Sequence, residues 1–398
     1  MSHHTQHTHQ ILRLCAAPGW GPVLIARAIA TLGSPGAVLD ATAERLRTVP
    51  GVGAERAKAM VDSRPTSGRA ADGELERAAA AGAQLVAFGS TDYPPLLAQI
   101  PDPPPVLYVR GSWDPARLDR YPIAVVGSRR STAYGIEQTE RFAHALASAG
   151  LAVISGGARG IDGAAHRAAL RAKGRTLVVL GCGVDRAYPD EHADLFAKVL
   201  ELGGAIVSEL PMGTPPVADN FPARNRIISG MALGVLVIEA GEGSGSLITA
   251  QQAAEEHGRE VFALPGRVDS PTSAGCLRLI RSGGAVLTIS PADILDALAE
   301  PARHHFYGTH AARYAPIPTP DAHPTPPPNP PQPPQPPQPE RPATHQAILA
   351  ALTEPRTLDQ LAQATGLEPG ALRATLTILE LQRLIARQGT RIIRQLHG

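Results

Sequence analysis

The sequence contains few cysteines and no long apolar segment. Its three cysteines, Cys15, Cys182 and Cys276, are odd in number and lie far apart, a pattern that predicts neither a disulfide framework nor a zinc site. No apolar run approaches the roughly 18 to 20 residues of a membrane-spanning helix, and the amino-terminal segment lacks the charged-then-apolar order of a signal peptide. We therefore expect a cytoplasmic protein with no membrane partner, no metal site and no cofactor.

The chain also lacks an excess of charge of either sign. It carries 37 lysines and arginines against 36 aspartates and glutamates, a formal net charge of +1 at pH 7. Overall electrostatics therefore indicate neither a nucleic acid nor a membrane surface as a partner. A polyanion would have to bind a local patch of positive charge.

Composition divides the chain into five segments. The histidine-rich residues 1–10 are predicted to be a disordered leader, and residues 11–84 to form a helical domain. Residues 85–305 alternate apolar runs with amphipathic stretches, as α/β domains do. The proline-rich segment 306–342 is predicted to be a polyproline II linker. Residues 343–398 are predicted to form a winged-helix-like domain, with a helix, a helix-turn-helix and a short basic wing.

Two similar turns occur in the helical segment, PGWG at 18–21 and PGVG at 50–53. Each precedes a stretch rich in alanine and arginine, and together they resemble helix-hairpin-helix modules, whose turns expose backbone N–H groups to a DNA phosphate. The alternative is two helix–helix turns that only pack together. Because few basic residues flank the turns, both interpretations stay open.

Seven short apolar runs in the α/β segment predict strands. Because they are continuously apolar rather than alternating, both faces of the sheet should be covered, which is typical of a parallel, doubly wound, Rossmann-like domain. In such sheets ligands bind at the carboxyl ends of the strands. The predicted strands are 106–109, 123–126, 151–154, 176–180, 205–208, 235–239 and 260–264.

Glycine-rich loops follow three of these strands. The loops at 127–135, 155–162 and 240–250 place small residues between a strand end and a helix start. Small residues let backbone N–H groups approach a phosphate, and the helix N-terminus adds positive potential. Two of the loops contain an arginine, Arg129 and Arg159, whose guanidinium can hold phosphate oxygens through paired hydrogen bonds. Three such loops along one sheet edge predict a phosphate-binding site.

A fourth element, NFPARNRIISG at 220–230, combines an aromatic ring with hydrogen-bond donors. Proteins that bind single-stranded nucleic acids use cations for the backbone and a ring for an unstacked base, and Phe221, Arg224, Asn225 and Arg226 supply both. In the alternative interpretation Phe221 belongs to the core and the arginines to a solvated helix start. The neighbouring phosphate loops favour binding.

Six motifs follow one another along the α/β segment: GSRRSTAYG, SGGARGID, GCGVDRAYPDEH, SELPMGTPP, NFPARNRIISG and GSGSLITAQQAAEEHGREVFALPG. Their order resembles the DNA-processing protein A (DprA/Smf) family over roughly residues 90–300. The flanking helical and winged-helix-like segments resemble extended members of that family more weakly. The resemblance implies a dimer, not an enzyme, that binds single-stranded DNA and loads the RecA recombinase onto incoming DNA during natural transformation.

The resemblance also assigns roles to individual residues. The glycine-rich loops would hold phosphate, Phe221 would meet a base, the residues after it would frame the mouth, and 245–249 would close the far wall. Some members carry lysine three residues before this phenylalanine, where the sequence has Ala218, so one phosphate contact is expected to be missing. The assigned DNA-binding residues are Gly127, Ser128, Arg129, Ser155, Gly156, Gly157, Arg159, Gly160, Phe221, Arg224, Asn225, Arg226, Gly245, Ser246 and Thr249.

A dimer interface is expected in the segment 275–295, which follows the last predicted strand. Its apolar residues Leu277, Ile280 and Ile294 are the candidates. The family resemblance suggests that they build a self-complementary surface. Packing into the protomer's own core is the alternative.

An enzyme of the nucleotide phosphoribohydrolase type is the main alternative function. Such enzymes resemble this chain in their glycine-rich loops but pair a catalytic arginine with a glutamate just after a PGGxGT motif. Here the equivalent stretch, GSGSLITAQQ, is followed by no carboxylate until Glu255, and Glu239 is interpreted as the partner of a helix N-terminus or of an arginine. Without a carboxylate in the pocket there is no general acid or base, and binding is favoured.

Two further classes are weaker candidates. A Rossmann dehydrogenase is disfavoured because SGGARGID follows the third predicted strand and no acidic residue ends the next one. A transcription regulator would depend on 369–386, the expected recognition helix. That segment has few side chains suited to base readout, chiefly Arg373, Gln382 and Arg383. A protein contact or an accessory DNA contact is favoured for this domain.

Overall fold

The computed structural model describes residues 3–115, 119, 121–307 and 343–367, and in the last part of the chain 372, 375, 376, 379, 384–388 and 391–394. The chain forms two compact units, Met1–Ala315 and Pro316–Gly398. From residue 308 onward the predicted proline-rich linker lies outside the described residues.

Five helices form the amino-terminal part of the first unit: α1 (His3–Cys15), α2 (Pro22–Leu32), α3 (Pro35–Asp40), α4 (Ala43–Leu46) and α5 (Ala54–Ala80). The prediction of a disordered leader is wrong from His3 onward, because α1 already begins there. Packing fixes this polar stretch: the Nε2 atom of His7 lies 2.8 Å from the carbonyl oxygen of Phe88. Thr8 is buried, as is Ile11 one turn later.

The two similar turns hold each other in place. Arg27 of α2 donates a hydrogen bond from Nη1 to the carbonyl oxygen of Pro50 at 2.8 Å. Arg56 of α5 donates to the carbonyl oxygen of Gly51 at 2.8 Å and accepts, through its own carbonyl, a hydrogen bond from the indole N–H of Trp20 at 2.9 Å. The arginines beside the turns are thus engaged in joining them, which agrees with the packing interpretation.

A nine-stranded sheet follows, in the order β1-β2-β6-β5-β4-β3-β7-β8-β9. All seven predicted strands are present. The seven strands β6, β5, β4, β3, β7, β8 and β9 are all parallel to their neighbours in this group. Strand β2 is antiparallel to both of its neighbours, β6 and β1. The first predicted strand therefore belongs to an antiparallel edge rather than to the parallel sheet. The strands are β1 (Ala83–Ala87), β2 (Val106–Gly111), β3 (Pro122–Val126), β4 (Ala152–Ser155), β5 (Thr176–Val179), β6 (Ala205–Ser208), β7 (Gly234–Val237), β8 (Glu260–Ala263) and β9 (Val286–Leu287).

Helices connect the parallel strands and cover the sheet, as the continuous apolar runs predict. The chain winds from β3 to β6 in one direction and then places β7 on the other side of β3. The topological switch point of this doubly wound sheet therefore lies between β3 and β7. The helices are α6 (Ala133–Ser148), α7 (Ile161–Arg171), α8 (Ala193–Glu201), α9 (Asn220–Gly230), α10 (Gly245–Gln251), α11 (Ala274–Arg281) and α12 (Pro291–Tyr307), with 3₁₀ turns at Leu97–Gln99 and Asp190–His192 and a π-turn at Gln252–Glu256.

One hydrophobic core joins the amino-terminal helices to the sheet. Helix α1 packs on β1 and β2, and α5 packs on β1. As a result Ile11, Leu14 and Met60 share a buried cluster with Val106 and Tyr108. The helical and α/β segments therefore depend on the same apolar burial.

A buried carboxylate adds a polar connection between the two segments. Glu74 of α5 is 6% exposed and accepts a hydrogen bond from the backbone N–H of Met212, in the loop after β6, at 2.8 Å. Its other carboxylate oxygen forms an ion pair with Arg77 of the same helix. Because the same loop continues to Pro216 at the edge of the candidate site, α5 supports that edge from behind.

His166 of α7 is a fully buried titratable residue, with Nδ1 2.8 Å from the hydroxyl oxygen of Thr176. Burial, together with the nearby His192, Arg167 and Arg224, lowers the pKa of His166 to about 3. An unfolded histidine titrates near 6.5. The unfolded chain therefore takes up this proton first as the pH falls, and the stability due to neutral His166 is lost from about pH 6.5 downward.

Replacing His166 with asparagine should make the fold less sensitive to acid. Between about pH 7 and about pH 5, titration of His166 should lower the free energy of unfolding of the wild type by about 2 kcal/mol. The Thr176 hydroxyl donates to the carbonyl oxygen of Val153, so asparagine can donate its amide N–H to this hydroxyl oxygen. Asparagine takes up no proton, so the variant should lack this part of the loss. Chemical denaturation at both pH values measures the difference. Equal losses in the two proteins would contradict the burial argument.

The second unit has winged-helix elements around a small core. They are α13 (Ala343–Ala351), β10 (Arg356–Thr357), α14 (Leu358–Thr365), β11 (Ile385–Gln388) and β12 (Arg391–Arg394), with sheet order β10-β12-β11. Leu372, Leu376 and Leu379 are buried in this core, while Arg373, Gln382 and Arg383 of the expected recognition helix lie outside the described residues. Across the described parts of both units, no helix is long and apolar enough to cross a membrane.

Candidate nucleic-acid interface

An open cavity of about 1040 Å³ lies at the carboxyl edge of the sheet, at the switch point between β3 and β7. The loops after β3, β4 and β7 and the start of α9 form its walls, which is where the sequence predicts a phosphate site. The lining residues include Val126, Gly127, Ser128, Arg129, Arg130, Ala158, Asp162, Tyr188, Pro216, Ala218, Phe221, Pro222, Arg224, Asn225, Gly241, Glu242, Gly243, Ser244, Gly245, Ser246, Ile248, Thr249, Pro271 and Thr272.

The loops hold one another through backbone hydrogen bonds. The N–H of Ser128 donates to the carbonyl of Glu239 at 2.7 Å, and the N–H of Ile161 donates to the carbonyl of Ser128 at 3.2 Å. This close approach requires Gly160, which has φ of 72° and whose Cβ, if present, would lie 2.3 Å from the carbonyl oxygen of Ser128. Both constraints explain why the β4 loop carries glycine just before α7.

Arg129 and Phe221 form the centre of the cavity. Arg129 is exposed, and its Cζ atom lies 5.2 Å from the centroid of the Phe221 ring. Among the described residues Arg129 has no ion-pair partner, so its donors face the solvent of the cavity. Phe221 also contacts Tyr188, with centroids 5.4 Å apart and an interplanar angle of 37°. A cation and two aromatic rings thus share one wall.

Arg224 forms the floor rather than the mouth that the sequence predicts. It is 4% exposed, and Nη1 donates to the carbonyl oxygens of Gly156 and Val179 at 2.7 and 2.6 Å. Burial lowers the pKa of Arg224 to about 10, a shift that the nearby Asp162 opposes. The guanidinium passes so close to Gly156 that a Cβ there would lie 2.1 Å from Nη1. Arg224 therefore braces the ends of β4 and β5 beneath Phe221.

Asn225 and Arg226 separate in space although they are adjacent in sequence. Asn225 lines the cavity, and its side chain donates to the carbonyl oxygen of Gly245 at 3.4 Å. Arg226 is buried away from the cavity, with ion pairs to Asp102 at 2.9 Å and Glu209 at 2.5 Å. Helix neighbours one or two positions apart do not face the same way. The prediction that Arg226 frames the mouth is therefore corrected to a structural role.

The β4 loop contributes less to the cavity than predicted. Ser155 is fully buried and donates its hydroxyl to the carbonyl oxygen of Val125 at 2.6 Å, and Gly157 is buried as well. Arg159 points out of the cavity and forms a two-point ion pair with Glu191. Of this loop, Ala158 and Asp162 line the cavity.

The start of α10, which the family resemblance assigns to the far wall, lines the cavity. Gly245 is exposed to the cavity, while Ser246 and Thr249 line it with largely buried side chains. The hydroxyls of Ser246 and Ser244 lie 2.7 Å apart. Small residues here keep backbone N–H groups at the N-terminus of α10 near the cavity surface.

Two carboxylates lie near the cavity in different settings. Glu239 is 3% exposed and accepts hydrogen bonds from the backbone and hydroxyl of Thr132, the residue capping α6, at 2.8 and 2.9 Å, and from Thr272 at 2.7 Å. It thus serves a helix N-terminus, as interpreted from the sequence. Asp162, which sequence reasoning missed as a lining residue, accepts from the N–H of Ala158 at 3.3 Å, and burial raises its pKa.

Several other lining residues escaped prediction. Tyr188 and Arg130 both lie within motifs that carry the family resemblance, so a signal was present for each, but neither received a role. Glu242 places an exposed negative charge at the entrance. Within the described residues no group of three or more histidine, cysteine or acidic side chains is arranged to hold a metal ion.

The expected dimer residues differ in exposure. Ile294 is fully buried in the core that packs α12 against the sheet, so its assignment to an interface is corrected to the alternative, core packing. Leu277 and Ile280 are half-buried. Larger apolar exposure is found nearby at Leu287 and Ile289, which are 52% and 65% exposed.

Comparisons with known proteins match the chain over all three of its folded segments. A family described as DNA recombination-mediator protein A matches residues 84–299, more than half of the chain. A SAM-like helix-hairpin-helix tandem matches residues 11–63, and a DprA winged helix domain matches residues 332–389.

Individual relatives agree with these matches. Protein Smf of Escherichia coli is 49% identical over 214 residues, covering 54% of this chain and 56% of its own. DNA processing protein DprA of Bacillus subtilis is 41% identical over 219 residues, covering 55% of this chain and 72% of its own. The chain thus spans little more than half the length of the Escherichia coli relative.

A solved structure shares the fold. The X-ray structure of DNA processing protein A (DprA) from Streptococcus pneumoniae superposes with a TM-score of 0.61 at 32% identity, covering 73% of this chain and 97% of its own. The solved structure therefore supports the fold over 73% of the chain, and the family matches identify the helix-hairpin-helix tandem and the winged helix. The chain belongs to the DNA recombination-mediator protein A family.

Proposed function

We propose that this protein binds single-stranded DNA in the cavity at the switch point and acts by binding rather than by catalysis. One observation carries the proposal: the exposed Arg129, which has no ion-pair partner among the described residues, lies over the ring of Phe221 in a cavity lined by three strand-end loops. The guanidinium suits a backbone phosphate, and the ring suits an unstacked base.

The aromatic wall favours a single strand over a duplex. Phe221 and Tyr188 offer ring faces to bases, but in a duplex the bases are stacked on one another and their faces are not available. Bases of a single strand can turn toward these rings while their phosphates contact the loops. Two adjacent rings also suit more than one successive base.

A wider role follows from the family. We propose a cytoplasmic homodimer that delivers single-stranded DNA to the RecA recombinase during natural transformation, as the sequence resemblance implies. The relatives named for DNA processing support a DNA substrate. Leu277, Ile280 and the more exposed Leu287 and Ile289 are the candidates for the dimer surface.

The proposal predicts that the polymer far outbinds the monomer. Fluorescence anisotropy should give much tighter binding to oligothymidine than to a duplex of equal length or to thymidine monophosphate, because affinity comes from successive nucleotides. Phe221→Ala should cost about 1 to 3 kcal/mol of binding free energy, the usual range for a lost stacked base. Equal affinity for monomer and polymer would contradict the proposal.

A base-release assay on nucleoside monophosphates tests the enzyme alternative in the same samples. We expect no release, because Glu239 is fully engaged with the α6 cap and Arg159 points out of the cavity. The carboxyls of Asp162 and of the exposed Glu242 are the candidate acids that line the cavity itself. If the wild type releases base and Asp162→Asn, Glu239→Gln or Arg159→Ala abolishes that release, the protein is a phosphoribohydrolase and the proposed function is wrong.

A further inference from the structure

A second cleft, of about 490 Å³, lies between α7 and α8 beside the DNA-binding cavity. We call it the basic cleft. Its polar lining consists of Arg167 and Arg171 from α7, Lys198 and Asp194 from α8, and Glu191 and the buried His192 from the turn before α8. None of these residues belongs to the lining of the first cavity.

The charges of the basic cleft are unevenly paired. Arg171 forms an ion pair with Glu140 of α6 at 3.0 Å. Arg167 and Lys198 are both exposed, and among the described side chains neither has an ion-pair partner. With Asp194 as the remaining free carboxylate, the cleft keeps a surplus of positive charge and two cations available to a polyanion.

The ion pair between Arg159 and Glu191 lies between the two sites. Tyr188 lines the first cavity and Glu191 lines the basic cleft, and these residues are at most about 11 Å apart along the chain. Arg159 and Glu191 are 63% and 51% exposed. An ion pair this exposed contributes little to stability, so a phosphate can take the place of Glu191 on the guanidinium of Arg159.

We propose that the basic cleft is a second phosphate-binding track for the same DNA strand, entered when a phosphate displaces Glu191 from Arg159. A strand that leaves the first cavity past Tyr188 meets Arg159 next and then Arg167 and Lys198. The inference rests on the proposed single-strand binding and extends it to a longer site. It also gives Arg159 a phosphate contact outside the cavity where the sequence placed it.

Strand length separates this inference from the proposed function. Oligothymidines of about four and about sixteen nucleotides, the short and long ends of common single-strand site sizes, are titrated over a range of salt concentrations. The short strand should fill only the first cavity, whereas the long strand should also occupy the basic cleft. The slope of log affinity against log salt counts the phosphate contacts of each.

The variant Arg167→Ala/Lys198→Ala removes the two free cations. Its slope with the long strand should be shallower by about 1.4, about 0.7 for each of two contacts, and its slope with the short strand should equal that of the wild type. Arg69→Ala/Arg141→Ala is the matched control, because it removes equal charge from exposed residues that line neither site. Glu191→Gln should raise affinity for the long strand and leave the short strand unchanged.

The outcomes are distinct. A short strand that fails to bind the wild type would overturn the proposed function itself. A short strand that binds normally, together with an unchanged long-strand slope in Arg167→Ala/Lys198→Ala, would overturn the basic cleft alone. An equal loss of slope in the matched control would also overturn it, because the effect would then be one of overall charge.

Discussion

Arg129→Glu should lower the affinity for single-stranded DNA by roughly 100-fold. A hydrogen bond to a charged group contributes about 1.5 to 3 kcal/mol, and about 1.4 kcal/mol corresponds to a factor of ten. The substitution removes the phosphate contact and also places a negative charge beside the strand. It leaves the fold intact, because Arg129 is exposed and has no ion-pair partner among the described residues.

The matched control for this variant is Arg141→Glu. Arg141 is also exposed and also lies over a phenylalanine, with Cζ 5.6 Å from the ring of Phe142, but it does not line the cavity. Equal losses in both variants would show that Arg129 acts only through overall charge. Removing residues 316–398, the second compact unit, should cost less affinity than Arg129→Glu.

Deleting residues 1–80 should destabilise the α/β segment rather than simply remove a neighbouring domain. Helices α1 and α5 pack on β1 and β2, so the deletion uncovers at least Val106 and Tyr108. Two large side chains exposed to water cost about 3 to 6 kcal/mol, a large part of the roughly 5 to 15 kcal/mol that stabilises a typical protein. The hydrogen bond from Met212 to Glu74 is lost as well.

Thermal unfolding followed by circular dichroism measures this effect. We expect the shortened protein to unfold at a much lower temperature, or to aggregate, while a protein lacking residues 316–398 keeps the unfolding transition of the first unit. A shortened protein as stable as the full chain would show that the shared core contributes little.

Much of the cavity edge could be predicted from sequence because local chemistry determines it. Continuous apolar runs give buried parallel strands, and a glycine-rich loop between strand and helix gives a backbone surface at the carboxyl edge. Arg129, Phe221 and Gly245 therefore lie where the motifs predict. The loops after β3 and β7 meet because these two strands are neighbours in the sheet. No single motif predicts that neighbourhood, since it depends on the topology of the whole sheet.

Two of the assigned arginines lie outside the cavity because of partners that are distant in sequence. Arg226 turns inward because Asp102 and Glu209 form ion pairs with it there. Arg159 turns outward because Glu191 offers a partner outside the cavity. Motif position indicates that an arginine is near the edge, but only the folded chain indicates which carboxylate it meets.

The shared core of the amino-terminal helices was also beyond sequence reasoning. Periodicity identifies the apolar face of each helix but not the surface that this face covers. Ile11 and Met60 could equally serve a separate small domain, and the structure packs them in one cluster with Tyr108 instead. The histidine-rich start of α1 looks like a solvated leader in the sequence, yet in the structure His7 forms a hydrogen bond with the carbonyl oxygen of Phe88.

The central claim, that the cavity binds successive phosphates of single-stranded DNA through Arg129, is tested most directly by a salt titration of oligothymidine binding. Log affinity should fall linearly with log salt concentration for the wild type, and Arg129→Ala should flatten the slope by about 0.7, one phosphate contact. Phe221→Ala should weaken binding and leave the slope nearly unchanged, because a ring neutralises no phosphate. A slope that is the same for the wild type and Arg129→Ala would contradict the account.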